Sequence, residues 1–247
     1  MRQLIISFLK IFVRNRRAMF FTIILPTGVL LAAAFLGLEQ IVRIGLPVSY
    51  NAFILPGVIA FAMMNTGVYT AAYIIIDYRR GQILKRLAVT PLSARQFIIA
   101  QTISRFIVAL IQTAVLLALG FWLFHLSFTL NILALPLIVF AGSTIFLNFG
   151  FLIASMARDY EEAAPYTSTT GLVLVFLGGV FFPTENLPGG IATVANFLPL
   201  KPLSATLRHS LFGAGFPNPP TDLLILLGWL VILYPITFLV FARRIYK

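Results

Sequence analysis

Seven acidic side chains and two histidines are all that the sequence offers for acid–base or metal chemistry, and it has no cysteine. His125 and His209 lie far apart, each beside or beyond the end of an apolar run. Neither has a neighbour at the spacing of a metal site or a proton relay. Without cysteine there is no disulfide, thiolate site or sulfur nucleophile. The glycine-rich run ending in Gly-Lys-Ser or Gly-Lys-Thr that cradles nucleotide phosphates is missing too, because Gly-Lys never occurs. The residues point to no catalytic, cofactor-binding or metal site in this chain, so work driven by ATP would need another subunit.

The elements that must position the remaining polar groups are set by hydropathy. Of the 247 residues, 60% are hydrophobic and 10% charged, against roughly 25% charged in a soluble domain. A hydrocarbon core of about 30 Å takes roughly 20 apolar helical residues. Six stretches of the chain meet or approach that length: about 18–38, 53–76, 98–124, 132–156, 166–182 and 223–242. The expected fold is all-α, a single six-span membrane domain over 1–247. The first apolar run is long enough to be a retained span rather than a signal peptide.

Charge sets the orientation. Fourteen basic residues fall at 1–17, between spans two and three, after span four and at the end of the chain, whereas the opposite loops hold only Arg43, Lys201 and Arg208. Positively charged loops stay cytoplasmic, so both termini are expected inside. The net charge of +11 thus reads as membrane topology, not as a nucleic-acid surface. Within 1–17, Leu4, Ile5, Phe8, Leu9, Phe12 and Val13 recur at helical spacing, which predicts an amphipathic helix lying in the interface; a plain basic tail is the alternative. Residues 183–221 are broken by prolines and by Gly189-Gly190, yet keep apolar faces, which predicts short re-entrant helices covered by protein, or else a simple outer loop.

Ionisable groups inside spans mark substrate paths, and the six spans contain only Arg105. An ion-coupled carrier would want intramembrane acids, whereas Asp77, Asp159, Glu161, Glu162, Glu185 and Asp222 fall at or beyond span ends. Arg105 is expected either to pair with one of the acids after span four or to snorkel to headgroups. No internal repeat is visible, which also disfavours carriers built from recognisable inverted repeats.

The segment from Asp77 to Gln101 reads DYRRGQILKRLAVTPLSARQFIIAQ. Gly81 to Ala88 favours a short helix with Ile83, Leu84 and Leu87 on one side and Lys85 and Arg86 elsewhere, ended by Thr90-Pro91. This segment resembles the stretch after the second span of ABC-2 type ABC transporter permeases, in which a Leu-Lys-Arg-Leu core precedes a Thr-Pro-Leu turn. A second stretch, LGGVFFPTENLPGGIATVANFLPLKPLSATLRHSLFG from Leu177 to Gly213, is similar to that family's fifth span and following outer segment. The sequence departs from the family pattern at Gln82, where an acidic residue is common, so no salt bridge is expected from this position.

The resemblance implies a permease subunit of an ATP-driven exporter of the drug, polysaccharide and lipid group, including multidrug efflux, in the bacterial inner membrane. It implies a homodimer surrounded by membrane lipids, coupled to two copies of a cytoplasmic ATPase that bind ATP and Mg. The coupling helix would span 81–92, using Gly81, Ile83, Leu84, Lys85, Arg86, Leu87, Thr90 and Pro91. Arg158, Asp159, Glu161 and Glu162 would form a second cytoplasmic contact. Substrate would pass Asn65, Tyr69 and Tyr73 of span two and Thr167, Thr170 and Phe176 of span five, whose aromatic faces and hydroxyls suit hydrophobic or amphipathic molecules. The alternative reading is an ion-coupled secondary carrier or channel.

Overall fold

A computed structural model describes residues 1–37, 48–89, 92–129, 133–184, 187–213 and 220–244, which are helical with no strand among them. Helix α1 (Arg2–Arg14) leads into α2 (Arg16–Met19), a π-helical turn (Phe20–Ile24) and α3 (Leu25–Phe35). Helix α4 (Tyr50–Met64) passes through a second π-helical turn (Asn65–Thr70) into α5 (Ala71–Arg80), and short α6 (Ile83–Ala88) follows. Then come α7 (Ala94–Phe124), α8 (Ala134–Met156), α9 (Tyr160–Leu177), α10 (Gly189–Phe197), α11 (Leu200–Phe212) and α12 (Pro220–Arg244).

Four of these rods are long and apolar enough to cross a membrane: Tyr50–Arg80, Arg95–Phe124, Ala134–Met156 and Pro220–Val240. The rod formed by α4 and α5 is the hub, buried along nearly its whole length between α7, α8 and α11. It touches α8 through glycine. A Cβ on Gly67 would strike the Phe146 backbone, and one on Gly150 would strike the Gly67 carbonyl oxygen. Such small residues let helix backbones meet where lipid supplies no hydrophobic drive for association. Helix α12 lies along α8 and leaves Leu224, Leu227, Val231, Ile232 and Leu239 exposed, as a lipid-facing helix should.

Polar residues set several of the ends. Ser93 accepts from Gln96 N at 3.2 Å while the Gln96 side chain accepts from Ser93 N at 3.0 Å, a capping box that starts α7. Asp159 accepts from Glu162 N at 2.9 Å and starts α9 six residues before the expected fifth span. That helix also stops at Leu177, because Gly178 and Gly179 (φ +61°) turn the chain. The apolar run Val180 to Phe182 therefore does not extend the span to 182; Val180 packs against Gly57. The first apolar run is helical over 16–35, and its expected end at Leu38 lies outside the described residues.

The segment 183–221 contains two helices. Helix α11 buries Leu200, Leu203, Leu207 and Leu211 against α4 and α8, whereas α10 leaves Ile191, Val194 and Phe197 exposed. Trp229 of α12 donates to the Phe197 carbonyl at 2.8 Å and holds the end of α10 to the bundle. Helix α1 buries Phe8 and Phe12 and keeps Arg2, Lys10 and Arg14 exposed. The Phe8 ring meets Phe97 edge-on at 5.3 Å and stacks on Tyr78 at 6.1 Å, so α1 lies across the starts of α7 and the end of α5.

Candidate functional site

The two π-helical turns touch. Thr66 donates to the Ala62 carbonyl at 3.0 Å, and its hydroxyl lies 3.4 Å from Gln112 Oε1, while the Gln112 amide donates to the Thr22 carbonyl. A π turn widens a helix by one residue and re-aims the side chains beside it, and such turns recur at functional sites. Here they aim Phe21 from one rod and Tyr69 and Thr70 from the other into a shared cavity of about 420 Å³. Tyr73, Ile74, Asp77, Tyr160, Ala164, Asn15 and Ala18 complete its lining. The cavity lies among the start of α2, the rod of α4 and α5, and α9.

Its walls are braced by short contacts. The Thr167 hydroxyl donates to Ala163 or Ala164, each at 3.0 Å, which leaves its oxygen to accept from Tyr73 Oη at 3.3 Å. The Tyr73 and Tyr160 rings lie 5.7 Å apart. Tyr69 fits because residue 171 is glycine, for a Cβ there would strike the Tyr69 hydroxyl. At the basic end of the cavity, Tyr160 Oη donates to Asp77 and the Arg80 guanidinium sits 4.7 Å over the Tyr160 ring. The result is an open chamber with aromatic walls, a few hydroxyls and one carboxylate, a lining suited to amphipathic molecules.

Of the six residues expected on a substrate path, Tyr69 and Tyr73 line this chamber and Thr167 braces it. Asn65 does not face it: its side chain is buried and donates to the Phe61 carbonyl at 3.2 Å. Thr170 is half-buried outside the lining, and Phe176 is exposed at the far end of α9. Phe21, Asp77 and Tyr160 were missed. Hydropathy leaves Tyr160 in a loop and Asp77 beyond a span, whereas the Asp159 cap starts α9 at Tyr160 and the rod of α5 runs on to Arg80.

Next to the chamber, Arg79 ties α5 to the end of α8, donating to Ala157 O at 2.8 Å and to Ala154 O. A cation at these last carbonyls also complements the helix dipole. Gly81 and Gln82 (φ +57°) then turn the chain into α6, which is shorter than the expected 81–92. Leu84, expected to enter a partner's groove, is instead buried in the chain's own core, while Ile83 and Arg86 are exposed. Thr90 and Pro91 lie outside the described residues, as do the side chains of Lys85 and Leu87. In the second expected contact, Asp159 and Glu162 serve the start of α9; Glu162 accepts from Arg158 N at 2.8 Å, while Arg158 and Glu161 are exposed. Arg105 neither pairs with these acids nor snorkels: it is 2% exposed, with its guanidinium 4.9 Å over the Phe12 ring.

Four rods long and apolar enough to cross a membrane make this an integral membrane protein. Among such proteins the chain belongs to the ABC-2 family of transporter proteins, whose model matches residues 45–243. It is 26% identical over 155 residues to the probable multidrug ABC transporter permease YbhR of Escherichia coli K12, a match covering 62% of this chain and 41% of YbhR. It is 22% identical over 201 residues to nodulation protein J of Rhizobium leguminosarum bv. viciae, covering 81% of this chain and 77% of that protein. It is 24% identical over 168 residues to the linearmycin resistance permease protein LnrN of Bacillus subtilis, covering 68% and 43%. The match to YbhR thus spans less than half of that relative.

Proposed function

We propose that this chain is the permease subunit of an ATP-driven exporter. It crosses the membrane six times, with α9 and the rod of α2 and α3 adding to the four long spans and the basic end facing the cytoplasm. Two copies form the translocation path, and two separate cytoplasmic ATPase subunits bind ATP and Mg and drive it. The observation that carries this reading is the chamber between the two π turns. Its aromatic and hydroxyl lining, with Asp77 at the basic end, would admit a hydrophobic or amphipathic drug, lipid or lipid-linked glycan from the inner leaflet.

Coupling follows from the contacts at the basic end. Helix α6 presents Ile83 and Arg86 outward, while Leu84 anchors it to the membrane domain. A push on α6 is passed through Gly81 into α5, where Asp77, Arg79 and Arg80 hold α8 and α9. The chamber wall thereby shares its supports with the docking helix. An ion-coupled carrier gains nothing from this arrangement.

Co-expression with the candidate ATPase, followed by purification, tests the proposal. The wild type is expected to carry the ATPase in a two-plus-two complex, and the double variant Ile83→Asp with Arg86→Glu to lose it while remaining folded. An intact complex in that variant, or no associated ATPase in the wild type, contradicts the coupling role.

A further inference from the structure

Helix α7 has 31 residues, about 46 Å at roughly 1.5 Å per residue, so it exceeds a hydrocarbon core of about 30 Å by roughly ten residues. Trp122, 81% exposed, is an interfacial anchor near its far end. With Phe124 at the outer boundary, roughly twenty residues of span place Arg105 at the inner boundary, the level of the lipid phosphates. This level follows from the orientation proposed above.

The side chains there have a shared chemistry. Gln101, Ser104 and Arg105 stand on one face of α7 at helical spacing, and the Arg105 guanidinium and Gln101 amide both lie beside the Tyr78 hydroxyl. All four residues are buried, from Ser104 at 0% exposure to Tyr78 at 3%. Ser104 Oγ and Arg105 Nε and Nη1 have no hydrogen-bond partner among the described residues, and the Gln101 amide meets the Tyr78 hydroxyl, leaving the phenol proton and the second amide proton to donate. Each of these groups can donate, and the amide and the guanidinium are rigidly set by burial. A buried guanidinium left so is costly unless an anion meets it. Phe8 and Phe12 of α1 roof the cluster, and the exposed Arg2, Lys10 and Arg14 of the same helix make its surroundings basic.

We propose that Tyr78, Gln101, Ser104 and Arg105 form a binding site for a phosphate-type anion, the phosphodiester of an inner-leaflet phospholipid, entered along the seam between α1 and α7. Arginine supplies a planar fork that fits two phosphate oxygens, and the tyrosine, amide and hydroxyl groups provide the further donors. The lipid would fasten α1 to the bundle beside the chamber. The transported molecule need not be this lipid.

The test uses the full-length chain with its ATPase, delipidated in detergent, and reads bound phospholipid by native mass spectrometry during titration with phosphatidylglycerol. The wild type is expected to hold about one lipid per chain, and Arg105→Gln to bind about tenfold or more weakly. Tyr78→Phe, which removes one hydroxyl without disturbing the core, is expected to bind a few-fold more weakly, with Arg105→Lys between the two. A second arm adds inorganic phosphate: displacement of the lipid, or phosphate binding in its absence that Arg105→Gln abolishes, assigns the anion site to free phosphate. Equal binding of both probes by the wild type, Arg105→Gln and Tyr78→Phe overturns the proposal. Co-purification of the ATPase is scored in the same samples, so loss of the permease reading and loss of the lipid site are told apart.

Discussion

Two buried arginines, Arg105 on α7 and Arg208 on α11, show how one residue type serves opposite ends in the same bundle. Arg208 donates from Nε to the Phe53 carbonyl at 3.0 Å, from Nη1 to Ser204 Oγ at 3.2 Å and from Nη2 to the Gly179 carbonyl at 2.5 Å, with its guanidinium 3.7 Å over the Phe53 ring. The acceptors are a helix N-terminal region, a helix and a glycine turn, so one side chain locks three elements. Arg105 has a ring above it and orphaned nitrogens beside it. The first cation completes the fold from within; the second keeps donors for a group from outside the chain. Burial alone does not separate them, because both are almost wholly inaccessible. Acceptors do.

The largest effect should come from Arg208→Met. It strands two backbone carbonyls and a hydroxyl in a dry interior, and thermal unfolding in detergent should show a loss of about 3 kcal/mol or more, with reduced yield. Arg105→Leu sharpens the contrast. In delipidated protein it removes an unpaired buried charge and should leave stability unchanged or raise it by about 1 kcal/mol, because apolar replacement of buried charge is often neutral or favourable. If Arg105→Leu costs as much as Arg208→Met without lipid, the two arginines are alike and the comparison fails. Phe12→Leu weakens one desolvated cation–π contact and should cost about 1–2 kcal/mol in the same melts. Ser204→Ala should cost about 1 kcal/mol, since Ser204 also donates to the Gly178 carbonyl at 3.1 Å.

Much of the bundle was legible in hydropathy, since long apolar runs allow little but spans. The rods at 50–80, 94–124, 134–156 and 220–244 fall where they were expected to within a few residues at most ends. The fifth helix was displaced because its ends are set by local chemistry, the Asp159 cap and the Gly178-Gly179 turn, while hydropathy sees only Val180 to Phe182 as more of the same run. The chamber was half legible. Tyr69 and Tyr73 stand out as polar aromatics in a span, but Phe21 needed the π turn and Tyr160 the earlier start of α9. Asn65 and Leu84 show the reverse: their types suggested a path and a docking face, and tertiary packing turned both inward. No one-dimensional pattern reports which side of a helix its neighbours will cover.

The central claim, that the chamber belongs to an ATP-driven path, is tested most directly by transport in proteoliposomes containing the permease and its ATPase. Accumulation of a fluorescent amphipathic probe would be followed for the wild type and for Ala164→Trp, a substitution in the chamber wall on α9. Transport is expected to require ATP and the ATPase, and to fall at least about tenfold in Ala164→Trp while the complex stays assembled. Transport without ATP, or transport undiminished with the chamber filled by indole, would contradict the claim.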